Sequence, residues 1–186
     1  MTNTDEMIRL LNRGERLEAL PRTGWLFAGV TSPESVAAHS YNVTLVALWL
    51  ATNLGADVGK TVQMAILHDL AESETTDLPK PIKGKISGMK ALESKITNEI
   101  LQGMPDALRI YEEYEAAISL EAKIVKAADS IQMVAKACQY HRQSRGDVRR
   151  FLTPKLTGID LADGVIARLL ERLENSDWND LEYGAS

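Results

Sequence analysis

The 186-residue chain has a single cysteine, Cys138, and only 5% of its residues are Phe, Trp or Tyr. One thiol excludes an internal disulfide framework and a thiolate zinc cage, so any bound metal has to be held by His, Asp or Glu. No run approaches the roughly 18 apolar residues of a membrane span. The opening MTNTDEMIRLLNRGER has neither the basic flank nor the apolar core of a signal peptide, and the expectation is a cytoplasmic protein without a membrane partner. Positive charge is also short. With 21 basic residues against 26 acidic ones the net charge is −5, which removes the general attraction a nucleic-acid partner would need. Apolar residues, in contrast, make up 45% of the chain, enough for one sizeable core, while the length is too small for two full domains.

Alternating, strand-like patterns are scarce, and only the segment WLFAGV tempts a strand assignment. Apolar residues recur at helical spacing almost everywhere, which predicts an all-α fold. Helices are expected over about 4–20, 34–54, 57–73, 90–102, 106–117, 119–140 and 160–175. Pro33 and Glu34 suit the first turn of the second helix, and Asp57 suits an N-cap for the third. Residues 21–33 read as a connecting loop, and SETTDLPKPIKGKISG as another, because its prolines and glycines oppose a regular helix. No linker or repeat divides the chain, so a single domain over 1–186 is expected.

The three histidines are His39, His68 and His141. His39 shares a helical stripe with Val36, Val43, Val46 and Leu50, which points an imidazole into the core. His68 and Asp69 follow the apolar run MAIL, and Glu72 lies within one turn of both, so all three can reach one pocket. Asp129 shares its stripe with Ala122, Val125 and Met133, which again sets a carboxylate among apolar neighbours. A buried charge needs a partner. One arrangement satisfies all four groups at once: His39, His68, Asp69 and Asp129 converge on a divalent metal between helices. Mixed nitrogen and oxygen ligands suit manganese, cobalt, iron, nickel or zinc better than calcium or magnesium. Taken singly, each residue has a plainer reading. His39 would be a hydrogen-bonded core histidine, Asp129 a cap or a partner of Lys126, and Glu72 a solvated residue at a fraying helix end. Their joint occurrence on three helices favours the metal. His141, beside Arg142 and Arg145, is expected at the surface. Cys138 and Trp49 are expected in the core, with Met64, Met89, Met104 and Met133 as fillers. Trp178 is expected to dock the tail or meet a second subunit.

With these residues in place, the sequence resembles the HD-domain metal-dependent phosphohydrolases, and within them the 5'-deoxynucleotidase branch that acts on deoxynucleoside monophosphates. The matching segments are LPRTGW, PESVAAHSYNV, ILHDLAESETTDLPKPIK and IVKAADSIQM, from about residue 19 to 133. The resemblance implies a compact HD-domain helical bundle with metal ligands His39, His68, Asp69 and Asp129 and with Glu72 as acid/base residue. It also implies that Trp25 and Asp77 embrace the deoxyribose, Asp77 on the sugar hydroxyl side. Where bacterial nucleotidases of this type carry a phosphate-binding arginine just before the tryptophan, this chain has Gly24, which leaves Arg22 as the nearest arginine. Lys80 and Lys83 could add positive charge, although solvated loop lysines are the plainer alternative. Trp25 has the alternative of anchoring its loop, and Asp77 that of capping a turn at Leu78 and Pro79. The implied partners are a small deoxynucleotide and further copies of the same chain, as a dimer or higher homo-oligomer. Two other readings stand beside the nucleotidase. One is a phage-type deoxynucleoside triphosphate triphosphohydrolase, whose longer substrate would use Lys80, Lys83 and Lys85. The other is a non-catalytic nucleotide-sensing bundle, which should have lost a ligand or Glu72, and none is missing.

Overall fold

A computed structural model of the protein describes residues 3–176. The helices are α1 (Asn3–Ala19), α2 (Thr23–Leu26), α3 (Val36–Leu54), α4 (Val58–Leu67), α5 (Glu72–Thr75) and α6 (Lys80–Lys83), followed by α7 (Met89–Ile100), α8 (Pro105–Ala116), α9 (Leu120–Arg142) and α10 (Asp160–Asn175). Among the described residues the only strand-like pairing is one isolated bridge between Pro21 and Ser35, which bears out the all-α expectation. None of these helices is long and apolar enough to cross a membrane.

Helices α3, α4 and α9 start where short polar side chains can satisfy free backbone N–H groups. Ser35 accepts from Ala38 N at 3.2 Å, Asp57 from Lys60 N at 2.9 Å and Ser119 from Ala122 N at 3.3 Å. Helix α3 ends on Gly55 at φ 66°, a left-handed conformation that costs glycine little. Helices α3 and α9 pack along each other at the centre, with α4 and α10 against them. Val36, Val43, Ala47, Leu50 and Ala51 of α3 meet Ala122, Val125, Ala128 and Ile131 of α9 in the main core. Cys138 is buried there, as expected, and His141 is exposed.

Several local expectations are corrected. The second helix begins at Val36, with Ser35 as its cap, so Glu34 stands outside it. The third helix stops at Leu67, because the backbone then tightens into three-residue turns, Leu70 N to Leu67 O at 3.1 Å and Glu72 N to Asp69 O at 3.0 Å. The two supposed loops hold short helical turns, α2 in the first, and most of α5 with α6 in the second. Pro81 lies in the first turn of α6, where a missing N–H costs nothing. Trp49 is 47% exposed rather than core, since the buried stripe of α3 leaves the opposite face, with Tyr41, Leu45 and Leu48, to solvent. Trp178 lies outside the described residues.

Two features position the site. Residues 20–36 form a loop pinched at its base, with Val36 N donating to Leu20 O and Arg22 N to Glu34 O, each at 2.9 Å. The chain after α9 folds back onto this loop: Asp147 N donates to Ala28 O at 2.6 Å, and the 3₁₀ turn Arg149–Phe151 sets Phe151 against Trp25, ring centroids 4.4 Å apart. The close approach needs Gly146, at φ 73°, because a Cβ there would stand 2.4 Å from Ala28 O and 2.9 Å from Val30 N. Gly146→Ala is therefore expected to lower the thermal midpoint by roughly 5–10 °C in a circular-dichroism melt, and an unchanged midpoint would show that this contact is dispensable.

Candidate metal centre

His39 reaches the centre from the buried stripe of α3, His68 caps the C-terminus of α4, Asp69 follows in the tight turn, and Asp129 comes from α9. His39, His68 and Asp69 each offer a ligand atom, all within 4.8 Å of one another. Nε2 of His68 is 3.2 Å from Asp69 Oδ2, and Nε2 of His39 is 3.6 Å from the same oxygen. Asp129 joins through His39, its Oδ1 3.4 Å from His39 Nε2. The structure thus gathers all four residues expected as ligands around one point, with the first three the tightest group.

Among the described residues neither imidazole Nε2 has a hydrogen-bond partner, although both side chains are buried. Nδ1 of His68 lies 2.7 Å from the carbonyl oxygen of Ala65. A carbonyl can only accept, so Nδ1 carries the hydrogen and Nε2 can present a lone pair. Unpartnered nitrogen atoms facing two carboxylates fit a divalent cation. Without one, protons serve instead. Burial disfavours a charged His68, but Asp69 and Asp129 outweigh it and push the imidazole up to about 9. Burial likewise works against charge on Asp69 and Asp129. His68 and Arg22 nonetheless hold Asp69 well below the usual carboxylate range, and His39 and Lys80 do the same for Asp129.

Glu72 opens α5 with one oxygen, Oε2, buried and without a hydrogen-bond partner among the described residues. Burial, then the nearby charges of Asp69 and Asp77, push its carboxyl up to about 8 against the opposing pull of Lys83 and Arg22. The group is therefore mostly protonated near neutrality and can give a proton, as a general acid must. Thr76, just before Asp77, sits at φ 65°, ψ 161°, a region nearly reserved for glycine, and such strain tends to gather at functional sites. Asp77 is buried and accepts from the backbone N of Thr23, while Thr23 Oγ1 donates to Asp77 O at 2.6 Å. Asp77 does not cap α6, which follows Pro79.

Arg22 is placed between two of these carboxylates, its Nη1 3.3 Å from Asp69 Oδ2 and 3.6 Å from Asp77 Oδ1. Lys80 Nζ lies 3.2 Å from Asp129 Oδ2, and Lys83 Nζ lies 3.3 Å from Glu72 Oε1 and 2.6 Å from Glu93 Oε1. Trp25 is 3% exposed. Its indole N–H donates to Glu34 Oε1 at 3.1 Å, and its ring packs on Tyr140 and Phe151, so it anchors the loop and also forms cavity wall.

Two cavities meet at the cluster, sharing Asp69, Glu72, Lys80, Lys83 and Asp129. The smaller, about 560 Å³, adds Arg22, Asp77 and the apolar faces of Trp25, Phe27, Met133 and Phe151. The larger, about 1120 Å³, adds Lys90, Lys126, Glu93, Glu115, Tyr111 and Tyr114. Sequence reasoning missed Phe27 and Phe151 as walls, and it missed Glu34 and Gln132 behind His39. Gln132 lies three residues after Asp129, hence on the same side of α9, which is the one signal that could have found it.

A family model described as "HD domain" matches residues 14–162, and the chain belongs to that family. It is 30% identical over 141 residues to the 5'-deoxynucleotidase HDDC2 of Danio rerio, covering 73% of this chain and 70% of that protein. A solved conserved hypothetical protein from Pyrococcus furiosus is 32% identical, with a TM-score of 0.74 over 90% of this chain and 99% of the other. The fold is also that of the cyanophage S-2L HD phosphohydrolase DatZ, solved with dA and one catalytic Zn2+ ion. That likeness has a TM-score of 0.57 at 22% identity and covers 94% of this chain and 98% of the phage protein.

If the four converging residues hold the cation, His68→Ala and Asp69→Ala should each lose it, whereas Glu72→Gln should retain it near one equivalent. Metal content after chelator treatment, refilling with Mn2+ and desalting reads this directly. Equal loss in Glu72→Gln would place Glu72 among the ligands.

Proposed function

We propose that the chain is a metal-dependent 5'-deoxynucleotidase, hydrolysing a deoxynucleoside monophosphate to the deoxynucleoside and inorganic phosphate. The observation that carries this reading is the pair of unpartnered Nε2 atoms facing Asp69 and Asp129 where the two cavities join. The name of the zebrafish relative supports the same reaction class.

His39, His68, Asp69 and Asp129 would hold one divalent transition metal, Co, Mn, Zn, Fe or Ni. When bound, it supplies Lewis-acid polarisation of a phosphoryl oxygen. The chain's own residues do the rest. Arg22, Lys80 and Lys83 bring cationic groups to the junction, where they can meet the phosphate oxygens. The smaller cavity takes the nucleoside, with Asp77 toward the sugar hydroxyls and Trp25 as wall. As water attacks phosphorus and the bond to the 5'-oxygen breaks, the protonated carboxyl of Glu72 gives its proton to that leaving oxygen.

The second reading, a triphosphohydrolase, is favoured by the larger cavity, which offers room and four lysines for further phosphates. Of the two lysines that only the larger cavity adds, Lys90 is already matched by Glu115 at 3.5 Å and Lys126 stands over the Tyr114 ring, and this weighs toward the monophosphate. The proposal includes a homo-oligomer, supported by the exposed Tyr41, Leu45, Leu48 and Trp49 on α3. Light scattering after size exclusion reads it, a dimer or larger particle agreeing and a monomer at micromolar concentration contradicting it.

A screen of deoxy- and ribonucleoside mono- and triphosphates, with metal-stripped protein refilled with single ions, tests the function. Orthophosphate from deoxynucleoside monophosphates is expected, and release of tripolyphosphate alone would establish the second reading. Asp77→Ala should cut the preference for deoxyribose over ribose by about tenfold or more, on the scale of one lost polar contact, and unchanged selectivity would remove Asp77 from sugar recognition.

A further inference from the structure

Behind His39 lies a buried chain of hydrogen bonds that ends on a carboxylate. The side chain of Glu34 is 4% exposed. Its Oε1 accepts from Trp25 Nε1 at 3.1 Å, its Oε2 accepts from Gln132 Nε2 at 2.8 Å, and Lys136 Nζ stands 3.6 Å from Oε2. Gln132 is itself buried, and its Oε1 lies 2.7 Å from Nδ1 of His39.

The direction of every bond in this chain follows from the charge at its end. A carboxylate matched by a lysine, an indole N–H and an amide N–H can only accept. The amide of Gln132 must therefore turn its NH2 toward Glu34, which leaves its carbonyl oxygen facing His39. That oxygen also only accepts, so Nδ1 of His39 carries the hydrogen. The nitrogen left to coordinate is Nε2, the atom that lies among Asp69, Asp129 and the ring of His68. A neutral amide at the far end would allow Gln132 to flip, and His39 would then have no fixed donor and acceptor side.

We propose that Glu34 and Gln132 are positioning residues: the buried carboxylate fixes the orientation of the Gln132 amide, and the amide fixes His39 with its Nε2 bare and aimed at the metal. The inference rests on the reading of His39 as a metal ligand. Metal-ligating histidines commonly owe their orientation to a group on the other nitrogen, and loss of such a group costs about 10–100-fold in metal affinity. Here the orienting group is neutral and acquires its polarity from an anion one residue further away.

The test is a titration of Co2+ into metal-stripped protein, read by its visible absorption and by chelator competition. Glu34→Gln should weaken Co2+ binding by about 10–100-fold, and so should Gln132→Met, which leaves Glu34 with Trp25 and Lys136 and so keeps the loop closed. The double variant Glu34→Gln/Gln132→Glu exchanges the two groups. The carboxylate at position 132 again accepts from His39, and the amide at position 34 donates to it. Its Co2+ affinity should return to within about threefold of the parent, well inside the loss expected of either single change. Packing alone would not give this recovery, and melts of the stripped proteins establish that each is folded. Parent-like affinity in folded Gln132→Met, or no recovery in the folded double variant, would overturn the proposal. Failure of the metal reading looks different, since His39→Ala would then bind Co2+ as tightly as the parent.

Discussion

The arrangement depends on one constraint: two buried imidazole nitrogens, each without a hydrogen-bond partner among the described residues, face two half-buried carboxylates. Nothing in the described residues donates to either Nε2. Such a cluster is costly to bury as it stands, and a divalent cation would supply positive charge at the point where the four groups meet. The elements are arranged to hold these groups. Helices α3 and α9 pack lengthwise, which places His39 opposite Asp129. Helix α4 ends at Leu67, and the three-residue turns that follow carry His68 and Asp69 to the same point.

The surroundings extend this logic. Burial beside Asp69 and Asp77 pushes the carboxyl of Glu72 up to about 8, toward the range where phosphate esters are largely ionised. Arg22 crosses between Asp69 and Asp77, so positive charge enters the site without leaving a guanidinium unpaired. Since Gly24 precedes the tryptophan, no cationic side chain comes from that position, and Arg22 and the α6 lysines bring theirs from either side. The segment after α9 completes the apolar wall through Phe151, and Gly146 permits it to lie against the loop that carries Trp25.

Much of the fold and the convergence of the candidate ligands could be read from the sequence because both depend on local periodicity. The stripe through Val36, His39, Val43 and Leu50 identified an inward histidine, and the stripe through Ala122, Val125 and Asp129 identified an inward carboxylate. Periodicity fails where the deciding contact is distant. An apolar run made Trp49 look buried, but a helix has an outer face and the run covers both. The three-residue turns after Leu67 carry no composition signal. Glu34 read as a dipole-facing residue of a helix start, because only tertiary structure brings Gln132 and Trp25 to it. Phe151 was unreadable for the same reason, being a wall only once the chain has folded back.

The most direct test is anomalous diffraction from crystals of the protein grown with Mn2+, collected on both sides of the metal's absorption edge. One strong peak is expected within about 2.0–2.4 Å of Nε2 of both His39 and His68 and of oxygens from Asp69 and Asp129. A fully stripped and refilled protein that shows no peak there, or one held by other side chains, would contradict the metal reading.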